Sequence, residues 1–323
     1  MERPLLSICI PTYNRCENLR RTLESIVSDD GFSQETEVVV SDNASTDNTK
    51  EMVLEYVNYY PNIKYYRNEI NIRDSNFPLA LDRGTGFYLK LNNDNRVLRK
   101  GALRYMLCAI KENIKDKDPI FFINRKAFHA SNETQVLKCS SLDDFVIHLS
   151  YYCTGIWLFG AWKDDWNAVN DKMRYSPLQL SQQDWFYQII INKGGCLLYT
   201  EVCSDSAPVG PRRGYNWFQV QVDNYYQIMK PYIETGLISK GASAIDHRLQ
   251  LKRIKLIWTS KYTFNLMPDE WQLDTTGAFP VMWRNFKQYP FFYTWLLTSP
   301  IWMMELLLRR LVRKLINRIK LFN

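Results

Sequence analysis

The chain has 323 residues, 46% hydrophobic and 14% aromatic, enough apolar material for a sizeable core and incompatible with a disordered chain. Its formal charge of +7 is local: Arg309, Arg310, Arg313, Lys314, Arg318 and Lys320 lie within residues 309–323 without an acid, so six of the seven excess charges sit there. That distribution argues against a uniformly basic surface, and no nucleic-acid partner is expected. Seven dispersed cysteines without a C-x-x-C pair fit reduced thiols, and three distant histidines give a zinc site or a Ser-His-Asp triad little to build on.

Met1-Glu2-Arg3-Pro4 leads directly into the apolar run Leu5 to Ile10, with no signal peptide in view, so a cytoplasmic location is expected. That run reads as a buried strand ending in the polar turn Pro11-Thr12-Tyr13-Asn14. Cys16 to Ser28 places Leu19, Leu23, Ile26 and Val27 at helical spacing. Glu37 to Val40 is a second strand, ending in Ser41-Asp42-Asn43-Ala44-Ser45-Thr46-Asp47, and Thr46-Asp47 opens a second helix through Met52, Val53, Tyr56 and Val57. Ile63 to Arg67 is a third strand. Phe87 to Leu91 is a fourth and runs into Asn92-Asn93-Asp94-Asn95, an oxygen-rich turn suited to a hard divalent cation. The alternation predicts an α/β fold with a mostly parallel sheet, whose ligands gather beyond the carboxyl ends of the strands.

Further on, the pattern predicts a helix at Lys100 to Lys111, a strand at Pro119 to Ile123 and a buried strand at Gly155 to Gly160. A helix from Ser181 to Asn192 is stopped by Gly194-Gly195, and Cys196 to Thr200 is the next strand. The breaker-rich loop Ser206 to Gly214 carries Arg212 and Arg213, a composition suited to a mobile cover over a diphosphate and equally to a surface turn. Residues 216–262 read as helical. Phe291 to Leu308 is apolar but interrupted by Pro300 and Glu305, which weakens a spanning helix. From Leu308 onward, Leu311, Val312, Leu315, Ile316, Ile319 and Phe322 share one helical side and the six cations the other, the pattern of an interfacial membrane helix. A helix packed on the domain or on a second subunit has the same pattern.

The three polar turns together resemble those of the family 2 glycosyltransferases of GT-A fold: a P-x-Y-N-like turn, a V-x-D-x-x-S-x-D turn matched from Val40 through Asp42 and Ser45 to Asp47, and a DxD-type metal turn at Asp94. The resemblance covers roughly the first two thirds of the chain and implies an inverting transferase with a catalytic domain over 1–205 (nucleotide half 1–95, acceptor half 96–205); beyond it the residue pattern gives an accessory helical region over 206–290 and a membrane-associating segment over 291–323. It implies Asp184, at the start of the Gln183-Asp184-Trp185 helix, as catalytic base, although the helix macrodipole also favours an acid there. It implies Asp94 as ligand of Mn²⁺ or Mg²⁺, with Asn92 and Asn93 where relatives often carry a further carboxylate. The donor site would draw on Pro11, Thr12, Tyr13, Asn14, Asp42, Asn43, Arg73, Asn76, Asn93, Arg212 and Arg213, while Ser45 and Asp47 are equally explained as helix caps. UDP-, dTDP- and CDP-linked sugars all suit such a pocket. With the basic amphipathic tail, the acceptor expected is a polyprenyl-linked saccharide at the cytoplasmic face of a bacterial inner membrane, in surface-polysaccharide synthesis. No Q-x-x-R-W segment occurs, so one sugar per visit is expected. A sugar nucleotidyltransferase is disfavoured because Pro11 to Arg15 has no glycine; a non-catalytic scaffold module finds its best support in Asn92 and Asn93, and Asp94 and Asp184 argue against it.

Overall fold

The computed structural model describes residues 3–124, 136–207, 216–258, 274–299 and 304. In chain order the elements are β1 (Leu6–Thr12), α1 (Cys16–Val27), β2 (Thr36–Asp42), α2 (Thr49–Tyr59), β3 (Ile63–Arg67), α3 (Asn76–Arg83), β4 (Tyr88–Leu91), β5 (Arg96–Leu98), α4 (Ala102–Asn113), β6 (Ile120–Phe122) and β7 (Val136–Cys139). They continue as α5 (Leu142–Leu149), β8 (Gly160–Trp162), α6 (Lys163–Ala168), α7 (Ser181–Lys193), β9 (Cys196–Tyr199), β10 (Ser204–Ser206), α8 (Tyr225–Glu234), α9 (Lys240–Trp258) and α10 (Ala278–Phe286), followed by a helical run over 290–299.

The central sheet has the order β3-β2-β1-β4-β8, parallel except for β8, which pairs antiparallel with β4. Side-chain alternation gives this sheet two buried faces. Ile8, Ile10, Val38 and Val40 face a core shared with Leu19 and Leu23 of α1 and Met106 and Ile110 of α4. Cys9, Val39, Leu89 and Leu91 face the opposite core, built from α3, α5 and α7 and extended by Tyr225, Tyr232, Ile254 and Phe286 of α8, α9 and α10. The helices after residue 216 therefore pack into the same core as α3, α5 and α7. A second sheet, β6-β9-β7, and the antiparallel pair β5-β10 complete the described architecture.

Strand β1 runs two residues further than its apolar stretch, through Pro11 and Thr12. Its pairing with β4 stops at Cys9, whereas its pairing with β2 continues to Thr12 opposite Asp42. The Cys9 carbonyl accepts from Asn92 N on the β4 side, and Pro11, two residues on, faces that same side where β4 has ended. A proline there removes no ladder hydrogen bond.

The expected strand over Gly155 to Gly160 is corrected. Leu158 N and Phe159 N bond to Gly155 O and Ile156 O, so Ile156–Leu158 is a 3₁₀ turn and the strand begins only at Gly160. An apolar run without alternation reports burial rather than strand geometry. The run is indeed tucked against the sheet end: the Trp157 carbonyl accepts from Lys90 Nζ at 2.6 Å, and Arg96 stacks on the Trp157 ring at 3.7 Å.

Helix α9 buries two ionisable neighbours. Asp246 Oδ1 accepts from the hydroxyls of Ser150 and Tyr225 at 2.6 and 2.8 Å, and burial raises its carboxyl from 3.8 to about 6. His247 stacks on Tyr226 at 3.9 Å, and burial lowers its imidazole from 6.5 to about 4. Between pH 4 and pH 6 the native Asp246 keeps a proton that the unfolded chain has lost, so its contribution to stability falls as pH rises. The native His247 lacks a proton that the unfolded chain holds, so its contribution rises over the same interval. The two slopes oppose each other. Asp246→Asn removes the first, and its unfolding free energy from urea titration is expected to climb more steeply than that of the wild type from pH 4 to 6, by about 2 kcal/mol. Parallel curves for the two proteins would contradict this account.

Candidate active site

The turns after β1 and β2 are stitched to each other. Asn14, in the left-handed region at φ 51°, donates its N–H to Ser45 Oγ at 2.9 Å and accepts at its Oδ1 from Thr46 N at 2.7 Å. Asp47 accepts from Cys16 N at the start of α1 and from Thr49 N at the start of α2, at 3.0 and 3.1 Å, so one carboxylate serves two helix N-termini. Burial alone would raise the Asp47 carboxyl, but these hydrogen bonds and that of the Thr49 hydroxyl hold it below the usual range. Asn14, Ser45 and Asp47 thus build the turn.

A cavity of about 730 Å³ opens beyond the carboxyl ends of β1, β2 and β4. It brings together seven of the sequence-predicted residues: Pro11, Thr12, Tyr13, Asn43, Arg73, Asn76 and Asp94. Asn14, Asp42, Asn93 and Asp184 do not line it, and Arg212 and Arg213 lie outside the described residues. Tyr13 presents its ring at the rim, 42% exposed. Asn43 spends its amide on the far wall, donating to Asn71 Oδ1 and Arg73 O and accepting from Asn68 Nδ2 and Ile72 N. Asn76 is similarly engaged, accepting from the Ser41 hydroxyl at 2.6 Å and donating to Ser41 O at 2.8 Å. These amides fix the wall that carries Arg73, itself held at φ 53°.

Asp42 is fully buried below the cavity. Its Oδ1 accepts from Ser45 N, its Oδ2 accepts from the Tyr65 hydroxyl at 2.6 Å, and Arg67 Nε lies 3.7 Å away. Burial, followed by this bond to Asp42, pushes the Tyr65 phenol well up. The Asp42 carboxylate is thus engaged on both oxygens by its own fold.

Asp94 is 3% exposed; its Oδ2 accepts from the Thr12 hydroxyl and its Oδ1 from Arg15 Nη1, both at 3.0 Å. Arg15 lines the cavity and was missed by the sequence reading, although it directly follows the first turn. Among the described residues no cluster of three His, Cys, Asp or Glu side chains could hold a metal ion. The Oδ1 of Asn93, the residue before Asp94 in sequence, is buried without a hydrogen-bond partner, and a hard amide oxygen of this kind together with a carboxylate fits the oxygen preference of Mg²⁺ or Mn²⁺. Beneath the turn, burial lowers the Lys90 ammonium to about 8.

Asp184, on the first turn of α7, is 1% exposed and held on both oxygens. Arg174 pairs with it in a two-pronged contact through Nε and Nη2, the Tyr232 hydroxyl donates to Oδ1, and Gln188 Nε2 donates to Oδ2 at 2.8 Å. Arg174 sits on the segment between α6 and α7, from which Ser176, Pro177 and Gln179 line the cavity. Sequence periodicity carried no signal for this segment, because it is irregular and meets the N-terminal turns only through the tertiary fold.

A sheet of this order, with its cavity beyond the parallel strand ends and its oxygen-rich turn after β4, defines a GT-A domain. Residues 7–127 match the family model Glycosyl transferase family 2. Over 223 residues the chain is 28% identical to abequosyltransferase RfbV of Salmonella typhimurium, covering 60% of this chain and 63% of that protein. Over 107 residues it is 32% identical to the GalNAc(5)-diNAcBac-PP-undecaprenol beta-1,3-glucosyltransferase of Campylobacter jejuni, covering 32% of this chain and 34% of that one. The chain thus spans less than two thirds of the length of either relative. Among solved structures, S. aureus TarS 1–349 in complex with UDP-GlcNAc aligns with a TM-score of 0.58 at 16% identity, over 88% of this chain and 82% of that chain. The mannosyltransferase PcManGT of Pyrobaculum calidifontis, in complex with GDP-Man and Mn²⁺, aligns at 0.50 and 18% identity, over 98% and 88%. At these identities the structural likeness is one of fold.

The Arg174–Asp184 pair gives a direct test of this corner of the site. Arg174→Met leaves a buried carboxylate without its cation and is expected to cost about 2 kcal/mol, less than a fully buried pair because the guanidinium is partly exposed. Adding Asp184→Asn should recover part of the loss in a double-mutant cycle. Additive losses would mean that the two side chains do not depend on each other.

Proposed function

We propose that the protein is an inverting glycosyltransferase that moves one sugar from a nucleotide-diphosphate sugar to a saccharide acceptor. The observation that carries this reading is the convergence of Pro11, Thr12, Tyr13, Asn43, Arg73, Asn76 and Asp94 on one cavity at the carboxyl edge of a GT-A sheet. Tyr13 offers an aromatic face for a nucleobase, and Arg15 and Arg73 offer guanidinium groups to a diphosphate. A UDP-, dTDP- or CDP-linked donor fits this arrangement, and UDP-GlcNAc and GDP-Man are bound by the two structures named above.

Asp94, with Asn93 Oδ1, would hold Mn²⁺ or Mg²⁺, which when bound stabilises the charge developing on the leaving diphosphate. Asp184 is the proposed base for the acceptor hydroxyl. For that role Arg174 has to leave its carboxylate, and Arg174 shares its segment with Ser176, Pro177 and Gln179 at the cavity. An acceptor seated against those three residues would displace the segment and free Asp184 in one movement. The acceptor is proposed to be a polyprenyl-linked saccharide of a bacterial surface polysaccharide. The Campylobacter relative carries an undecaprenol-linked acceptor in its name, and residues 291–323 have the pattern of a peripheral anchor at the cytoplasmic face of the inner membrane. Among the described residues no helix is long and apolar enough to cross a membrane, and 300–303 and 305–323 lie outside them.

A second reading, a nucleotide-binding module without transfer, is favoured by the full set of hydrogen bonds on Asp184. The two readings separate experimentally. A cognate nucleotide at ~100 times its Kd should stabilise the protein by about 2.7 kcal/mol, more so with Mn²⁺, and Asp94→Ala should lose the metal enhancement. Asp184→Asn should keep nucleotide binding and lower transfer by about 10²-fold or more. Undiminished transfer in Asp184→Asn would remove it as the base, and nucleotide binding without any transfer in the wild type would favour the module. Arg15→Ala should weaken nucleotide diphosphate binding about tenfold, as expected for a lost charge-assisted bond. Unchanged affinity would place Arg15 outside the diphosphate site.

A further inference from the structure

Helix α10 is apolar on more of its circumference than its packing uses. Ala278, Val281, Met282 and Phe286 are buried in the core, and the flank is tied down by Arg284 Nη1 and Asn285 Nδ2, each 3.0 Å from the Asp223 carboxylate. A surface helix packed in this way carries polar residues on its remaining face. Here that face carries Phe279 and Trp283, 53% and 42% exposed, one turn apart with ring centroids at 6.2 Å. The run 290–299 extends the same surface: the Tyr293 ring lies 6.2 Å from Trp283, and Leu297, one turn on, is 78% exposed.

Single exposed apolar side chains are ordinary, but a contiguous row of Phe, Trp, Tyr and Leu marks an interaction surface. Its support is firm. Phe292 stacks on Phe286 at 5.9 Å, which fastens the run to α10, and the Tyr293 hydroxyl donates to Lys287 O at 2.7 Å. Lys287 is exposed at the edge of the patch. The sequence that follows adds six cations and no acid within 309–323. Amphipathic aromatic rings beside cations match the headgroup layer of an anionic bilayer, where rings sit at the acyl boundary and ammonium and guanidinium groups meet phosphate.

We infer that Phe279, Trp283, Tyr293 and Leu297 form a membrane-inserting face that docks the folded domain on an anionic lipid surface. This rests on the peripheral-membrane part of the proposed function and moves the contact from a terminal segment alone to helices that are integral to the core. A face fixed to the core sets the orientation of the whole domain on the bilayer, which a flexible tether does not.

The test uses the full chain with vesicles of phosphatidylcholine, with and without phosphatidylglycerol, read by cosedimentation. The wild type should bind the anionic vesicles, and Phe279→Ser/Trp283→Ser and Tyr293→Ser/Leu297→Ser should each lower the partition coefficient at least tenfold. A two-state melt and the nucleotide-induced rise in melting temperature, unchanged in both variants, establish that they are folded. Equal partition of wild type and both variants overturns the inference. So does a wild-type dimer in sedimentation that the variants turn into monomers without altered lipid binding, because the face would then be a contact between copies. Loss of lipid binding in the variants, together with no nucleotide response in any protein, would keep the membrane face and remove the transferase reading.

Discussion

The uneven pairing of β1 is the constraint on which the candidate site depends. Because β4 ends opposite Cys9 while β2 continues to Asp42, the last residues of β1 project past one neighbour and stay braced by the other. The step opens a crevice between β1 and β4, where the strand order reverses as the chain returns from β3, and it brings Thr12 within 3.0 Å of Asp94. Both faces of the sheet are sealed by apolar side chains, so the carboxyl edge is where polar groups collect. Pro11 suits the step because it has no N–H to leave unpaired where β4 has stopped.

Many of the polar residues at this edge are committed to holding one another. Asn43, Asn68, Asn76 and Ser41 form a wall of mutual hydrogen bonds, and Asp47 secures two helix starts at once. Such a network keeps the exposed groups, Tyr13, Arg15 and Arg73, in place without backbone regularity to support them. Asp184 is the extreme case, a buried carboxylate balanced by Arg174, Tyr232 and Gln188. Its partners come from α7 itself, from the segment before it and from α8, so the proposed acceptor side of the site cannot be assembled until the late helices have packed.

Strands β1 and β2 were legible because each is a short Ile- and Val-rich run closed by a polar turn, and the turns were legible because their spacing is local. The strand β8 was misplaced since Gly155 to Phe159 is buried for a reason the sequence does not encode, the docking of Trp157 against Lys90 and Arg96. Arg15 was visible in sequence, but nothing in its neighbourhood announced a partner 79 residues away. The same holds for Arg174 and Tyr232, whose meeting with Asp184 requires three elements to be in place.

The sequence by itself determined the α/β class, the mostly parallel sheet and the three turns from which the cavity is built, since hydrophobic period and turn chemistry are short-range properties of the chain. Only the tertiary structure decided which turn residues face the cavity. Asn14 turned to its neighbours, Asp42 sank beneath Tyr65, and Asp94 met a guanidinium. It also decided that the late helices share a core with the sheet and leave an aromatic face outside it. The physical reason is the same in each instance: side-chain direction and partner choice are set by packing between segments far apart in sequence, and no local pattern records it.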